Sequence, residues 1–292
     1  QAKSVIKLQN PDKVNEYLVT AKTRPSLLLK GEQPRLIDEW QDAPMLWDAV
    51  RTAVDETGGI PGQYILTGSN TVDKSQIRHT GTGRITRMKM YPMSLWESLE
   101  SSGEVSIHEL FYNPDYDIDG ATSKLDIPEL LYVACRGGWP ATLQMKPKAA
   151  MLIAKDYVNS VCEYDISAVD NRQRNPKIAR QILRSYARNI STLAKKTSIL
   201  ADVTASEDIT LTMNTYDDYI STLERLFVIQ DIDAWCPAIR SKTSLRSAPK
   251  RCFVDPSIAV AAMNISVEEM ETQLKTFGFI FEQMCIRDLK IY

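Results

Sequence analysis

The sequence predicts an α/β protein in which a parallel sheet is followed by a mostly helical region. Three observations predict it. The apolar run Leu36-Ile37 ends abruptly in Asp38-Glu39, and a second run, Tyr64-Ile65-Leu66, ends in Thr67-Gly68-Ser69-Asn70. Buried strands of a parallel sheet look like this when they deliver polar side chains to the sheet's C-terminal edge, where open α/β sheets bind ligands. Between the two runs lies one helix's worth of amphipathic sequence, so the stretch reads as a βαβ unit with a right-handed crossover. From residue 126 onward the texture changes to long helical patterns.

The elements follow in order. Ser4 to Leu8 is a short strand, closed by Asn10-Pro11-Asp12. Residues 12–23 and 25–30 read as two short helices split by Arg24-Pro25, with Gly31 as a stop. After the acidic strand, residues 43–57 carry a broad apolar stripe (Ala43, Leu46, Trp47, Val50, Val54) that ends at Gly58-Gly59. Residues 71–83 are polar and turn-rich, and Arg84 to Met90 alternates basic and apolar residues, the pattern of a strand with one wet face. Ser94 can cap a helix from Leu95 to Glu100, and residues 113–123 read as an exposed connector. Helices are expected over 127–135, 147–165, 176–188, 190–200, 214–226 and 267–289. Phe227 to Trp235 and Arg251 to Asp255 read as a strand and its return. Helices followed by such a hairpin are the order of a winged helix-turn-helix module.

Bulk properties narrow the class. At 292 residues the chain can hold two or three domains, and 43% apolar with 25% charged residues is an ordinary globular balance. A net charge of −2 supplies no global attraction to nucleic acid or membrane, so any basic surface must be local. The five cysteines are scattered without a C-x-x-C pair, which fits neither a zinc site nor a disulfide framework and suits a reducing cytosol. No apolar run approaches the ~20 residues of a membrane span, and no signal peptide opens the chain, so a cytoplasmic location without membrane contact is expected. Gln1 at the start and a helical pattern at the end both read as cuts in a longer protein.

The chemistry gathers at the two strand ends. An Asp in the position of Asp38 can hold magnesium, directly or through water, while a neighbouring Glu, here Glu39, orients and deprotonates an attacking water. Strand neighbours point to opposite faces, which lets the pair do two jobs. The alternative is an acid pair at a helix N-terminus, with Asp38 or Asp42 as a cap. Ser69 and Asn70 would lie beside the acids, where a polar side chain can sense a terminal phosphate; alone they also read as a turn with a cap. Arg84, after Gly81-Thr82-Gly83, stands where an arginine can reach a neighbouring subunit's nucleotide, or is a solvated arginine like Arg87. No G-x-x-x-x-G-K-[ST] occurs, so the chain lacks a backbone nest and a lysine for phosphates. Arg240, Lys242, Arg246, Lys250 and Arg251, with Arg180, Arg184, Arg188, Lys195 and Lys196, offer a basic wing and helix for DNA phosphates, or are solvated faces. Trp139 after two glycines reads as a packing anchor.

Six stretches carry a resemblance: Pro34 to Gln41, Leu46 to Arg51, Gly62 to Ser69, Gly83-Arg84-Ile85 with Met90 to Ser94, Gly137-Gly138-Trp139-Pro140, and Pro249 to Asp255. Together they resemble a large prokaryotic family of AAA+ superfamily ATPases that join an AAA-type P-loop core to a winged-helix region and a C-terminal nuclease-like domain. The resemblance implies a P-loop-NTPase-type parallel sheet over 1–115, a helical and winged-helix region over 116–265, and the start of the nuclease-like domain over 266–292. It implies that Asp38 and Glu39 match the Walker B acids, that Ser69 or Asn70 matches the sensor, that Arg84 is the arginine finger, and that Arg136 is a second sensor arginine. The family's P-loop strand would precede Ser4 and lie beside the Ile65-Leu66 strand, leaving the sheet here incomplete. ATP and magnesium are therefore expected as ligands of the full-length protein, an ATPase, while residues 1–292 alone are expected to be inactive. An arginine finger acting in trans implies a homo-oligomer. The alternative is a winged-helix DNA-binding or protein-interaction module on a degenerate core.

Overall fold

Ser4–Lys7, Arg35–Asp38 and Tyr64–Thr67 (β1, β2 and β3) form a three-stranded, all-parallel sheet in the order β1-β2-β3. Pairing aligns Lys7 with Asp38 and Asp38 with Thr67, so these three residues form the last row at the C-terminal edge. The computed structural model that shows this describes residues 1–69, 77, 79–205, 209–236 and 247–292. It divides into two units, Gln1–Lys89 and Met90–Tyr292.

In the first unit, α1 (Val14–Thr23) follows β1, and α2 (Met45–Glu56) makes the β2-to-β3 crossover. The α2 stripe is the expected one: Leu46, Val50 and Val54 are buried with Ile6, Leu8 and Ile37 of the strands. Arg35 is buried as well, and its guanidinium donates to the Leu28 carbonyl at 2.8 Å and to Ser4 Oγ at 2.9 Å. The expected helix at 25–30 is reduced to one 3-10 turn, Pro25–Leu27. The expected strand from Arg84 to Met90 does not form; Met88 and Met90, apolar residues of the expected dry face, are 93% and 95% exposed, and no strand among the described residues pairs with it. An alternating pattern without a sheet edge to join gains nothing from extension.

The second unit is helical. Its elements are α3 (Ile107–Tyr112), α4 (Ile127–Arg136), α5 (Pro147–Ser160), α6 (Ile166–Ala168), α7 (Pro176–Arg188), α8 (Lys196–Thr204), α9 (Met213–Arg225), α10 (Pro256–Met263), α11 (Val267–Thr272) and α12 (Leu274–Ile291). One core unites α4 to α12, with Leu183, Tyr186, Ile199, Tyr216, Leu223 and Ile258 at 0% exposure, while α3 contributes no buried residue. Capping residues fix several starts: Asp126 and Ser266 each complete a reciprocal box with a Glu three residues on.

Several boundaries differ from expectation. The 147–165 helix continues through a π turn at Val161–Asp165 into α6. The 190–200 helix begins only at Lys196, because Ser191 adopts a left-handed φ of 58°. Residues 95–99 form turns rather than a helix, and Leu99 has φ 64°. The expected strand pair near 227–255 is two isolated antiparallel bridges, Ile229 to Phe253 and Ile232 to Lys250. The last helix is broken at Gln273 into α11 and α12.

Residues 90–101 form a strap on this unit. The Met93 amide donates to the Gly138 carbonyl at 2.7 Å, Gln230 Nε2 donates to the Tyr91 hydroxyl at 2.7 Å, and the Leu95 amide donates to Asp288 Oδ2 at 3.0 Å. A Cβ on Gly138 would meet the Met93 carbonyl oxygen at 2.2 Å, so only glycine allows this approach. Among the described residues no helix is long and apolar enough to cross a membrane.

Candidate functional site

The C-terminal edge of β2 and β3 collects polar side chains. Thr67 Oγ1 donates to Asp38 Oδ1 at 2.7 Å, tying the two strand ends together. The chain then leaves β2 at once: Glu39 has φ 57° and ψ 44°, a left-handed conformation that costs a non-glycine residue about 1–2 kcal/mol. Glu39 is therefore not the strand neighbour of Asp38 that the sequence suggests, and the two acids are separated by a backbone turn rather than by the pleat. The turn brings the Glu39 carboxylate back over the β3 end, where Ser69 Oγ donates to its Oε2 at 3.3 Å. Asp38, Glu39 and Ser69 thus share one edge. Asn70 lies outside the described residues.

Gln41 completes the group and was not singled out by sequence. It lies in the 3-10 turn Trp40–Asp42, and its Nε2 donates to Glu39 Oε2 and, at 3.3 Å, to Ser69 Oγ. Its Oε1 is buried and has no hydrogen-bond partner among the described residues. A Cβ on Gly68 would come within 2.3 Å of that oxygen, so the glycine makes room for the amide. Trp40 stacks at 5.1 Å on Trp47 of α2, which anchors the turn. A polar residue two places after an acid pair was the available signal.

Arg84 has a different partner. Its Nε donates to Asp55 Oδ1 at 2.8 Å, and Arg51 Nη1 lies 3.2 Å from the other oxygen. The Arg84 hydrogen bond is the main cause that holds Asp55 below its ordinary value. Beside this pair opens a cleft of about 210 Å³ lined by Arg51, His79, Thr80, Gly81, Thr82 and Arg84. Arg136 belongs to the second unit, where it is buried and both its terminal nitrogens hold Glu100 at 2.7 Å. Burial alone would raise Glu100; hydrogen bonds from Arg136 and Ser98 outweigh it and the carboxyl titrates below its usual range.

The basic residues of the second unit are largely engaged. Arg180 pairs with Glu163 at 2.6 Å, Arg188 with Asp202 at 2.9 Å and Lys196 with Asp217 at 2.7 Å, while Lys250 pairs with Glu282 and Arg251 with Asp231. Arg240, Lys242 and Arg246 lie outside the described residues. Trp139 packs at 4.9 Å on Tyr157 and donates to Ser257 Oγ at 2.9 Å.

No cluster of three or more His, Cys, Asp or Glu suited to a metal occurs among the described residues. The Asp38–Glu39–Thr67–Ser69 edge offers hard oxygen donors and two carboxylates. That fits magnesium, which takes one or two protein carboxylates and completes its shell with water and phosphate oxygens.

Residues 3–99 match the family model of an AAA domain. This match supports an AAA-like P-loop ATPase domain, whose general chemistry is binding of nucleotide with magnesium. It contains the whole β2–β3 edge and extends ten residues past Lys89 into the strap of the second unit. Residues 127–269 match a domain of unknown function (DUF8612), which takes in α4 to α10 and the first half of α11. No curated protein and no solved structure matches the chain.

Proposed function

We propose that the β2–β3 edge is the hydrolytic half of an ATP site. One observation supports this above the others: Asp38, Glu39 and Ser69 converge on the C-terminal edge of a parallel sheet inside the AAA-domain match. In this reading Glu39 accepts the proton of the attacking water, Asp38 holds magnesium directly or through water, and the Ser69 hydroxyl contacts the terminal phosphate. Magnesium, when bound, neutralises charge that develops on the phosphate oxygens. Arg84 exchanges Asp55 for the nucleotide of a neighbouring subunit. Arg136 takes no nucleotide role in this reading, because Glu100 already holds both ends of its guanidinium.

In this reading residues 1–292 supply the water-and-magnesium side of the site, since they contain no G-x-x-x-x-G-K-[ST] to cradle phosphates. ATP turnover by the full-length gene product should therefore fall about 10²–10⁴-fold in Glu39→Gln, the range set by loss of a general base. Equal turnover in the two proteins, or no ATP binding by either, overturns the reading. Residues 1–292 alone should show no appreciable turnover, and Glu39-dependent hydrolysis by that chain overturns that expectation.

A further inference from the structure

We infer that Gln41 is a positioning residue for Glu39: its amide holds one carboxylate oxygen and leaves the other to the attacking water, a hold that persists when the Ser69 hydroxyl turns from Glu39 to the terminal phosphate. The inference rests on the hydrolytic reading of Glu39. Among the described residues the hydrogen bonds to the Glu39 carboxylate, from Gln41 Nε2 and Ser69 Oγ, both fall on Oε2. A carboxylate held by one oxygen cannot spin freely about its terminal torsion, so Oε1 keeps one direction. Near-attack geometry of this kind is where a misplacement of an ångström is felt in rate.

The surroundings commit Gln41 to that grip. Its Oε1 is buried without a donor among the described residues, an arrangement that is disfavoured unless the N–H side of the amide gains more than the carbonyl side loses. Hydrogen bonds to an ionised acceptor are about twice as strong as neutral ones, and Gln41 spends its N–H side on one. Gly68 keeps open the space the carbonyl oxygen occupies. The backbone of the turn is fixed independently, by Asp42 N–H to the Glu39 carbonyl at 3.1 Å and Ala43 N–H to the Trp40 carbonyl at 3.0 Å. The turn therefore does not need the Gln41 side chain to hold its shape, and among the described residues that side chain has Glu39 and Ser69 as its hydrogen-bond partners.

The test uses the full-length protein. Gln41→Met keeps the length of the side chain without a donor, and Gln41→Glu keeps its shape while replacing the donor with a second carboxylate. Both should lower kcat tenfold or more, with KM for ATP within about twofold and the melting temperature unchanged. Gly68→Ala, which displaces an intact Gln41, should lower kcat in the same way, and Gly68→Ala combined with Gln41→Met should lose little more than either alone. Wild-type kcat in Gln41→Met, alongside a dead Glu39→Gln, overturns the inference and leaves the hydrolytic reading standing. A fall in kcat that tracks a loss of melting temperature also overturns it, in favour of a purely structural role. An active Glu39→Gln, or no ATP turnover in the unsubstituted protein, overturns the hydrolytic reading itself.

Discussion

Asp255 should be the most sensitive charged residue of the helical unit. It is fully buried, and its carboxylate accepts from the Gly138 amide at 3.0 Å, the Ser257 amide at 2.9 Å, the Ser257 hydroxyl at 2.6 Å and Arg287 Nη1 at 2.9 Å. Arg287, 2% exposed, is held on its other side by Asp288 at 2.7 Å. Asp255→Asn keeps the size and much of the cap to α10 but removes the charge opposite Arg287. Breaking a buried pair costs roughly 3–5 kcal/mol. Asp288 still neutralises Arg287, so about 3 kcal/mol is expected, at the low end of that range. With an m-value of about 2–3 kcal/mol/M in urea, the unfolding midpoint should fall by about 1–1.5 M. Trp139 gives the readout, since its indole donates to Ser257 Oγ beside the substituted carboxylate. Arg287→Met alone should lose at least as much, because it strands two buried acids. The double variant Asp255→Asn/Arg287→Met should recover part of the loss, since a buried pair removed together costs less than either half removed alone. An unchanged midpoint in Asp255→Asn, or a double variant at the sum of the single losses, refutes this account.

Glu100 gives a pH dependence of definite sign. Its carboxyl lies below the ordinary 4.5, so the stabilisation it adds is present above that value and is lost as pH falls through the lower, folded value. Glu100→Gln should therefore melt below wild type at pH 7, and the gap should close as the pH falls below the ordinary carboxylate range; a gap that widens in acid contradicts this. Burial pushes the Cys135 thiol up to about 12 and those of Cys162 and Cys252 to about 11. These three should stay unmodified by iodoacetamide at neutral pH until the protein is unfolded in guanidinium, as read by mass spectrometry. Fast native alkylation of Cys135 would show that α4 opens far more readily than its packing implies.

What the sequence made legible was what depends on local pattern. The apolar stripe of α2 and the polar ends of Leu36-Ile37 and Ile65-Leu66 announced the βαβ unit, because helix and strand periods are written in neighbouring residues. The left-handed turn at Glu39 was not announced, since glutamate has no preference for that conformation; without it, Gln41 has no reason to meet Glu39. Arg84 to Met90 failed for the opposite reason: alternation describes a face, and no pattern within a strand says whether a partner exists. Arg287 reads as one more helix-surface arginine, and its burial depends on Asp255, 32 residues away. Ser191 halts a helix that its neighbours would continue, and a single left-handed serine leaves no trace in periodicity.

The strap at 90–101 carries a consequence for how this protein can be divided. The AAA match runs to residue 99, yet Tyr91 accepts from Gln230, and the Met93 and Leu95 amides donate to Gly138 and Asp288. A cut made where the sequence family ends would strip the helical unit of a segment pressed backbone to backbone against Gly138. The same cut would leave the excised half with an apolar tail. Inheritance and folding thus draw their borders ten residues apart. An exchange of modules between relatives would keep both halves intact only if the crossover fell near Lys89, where the packing changes hands.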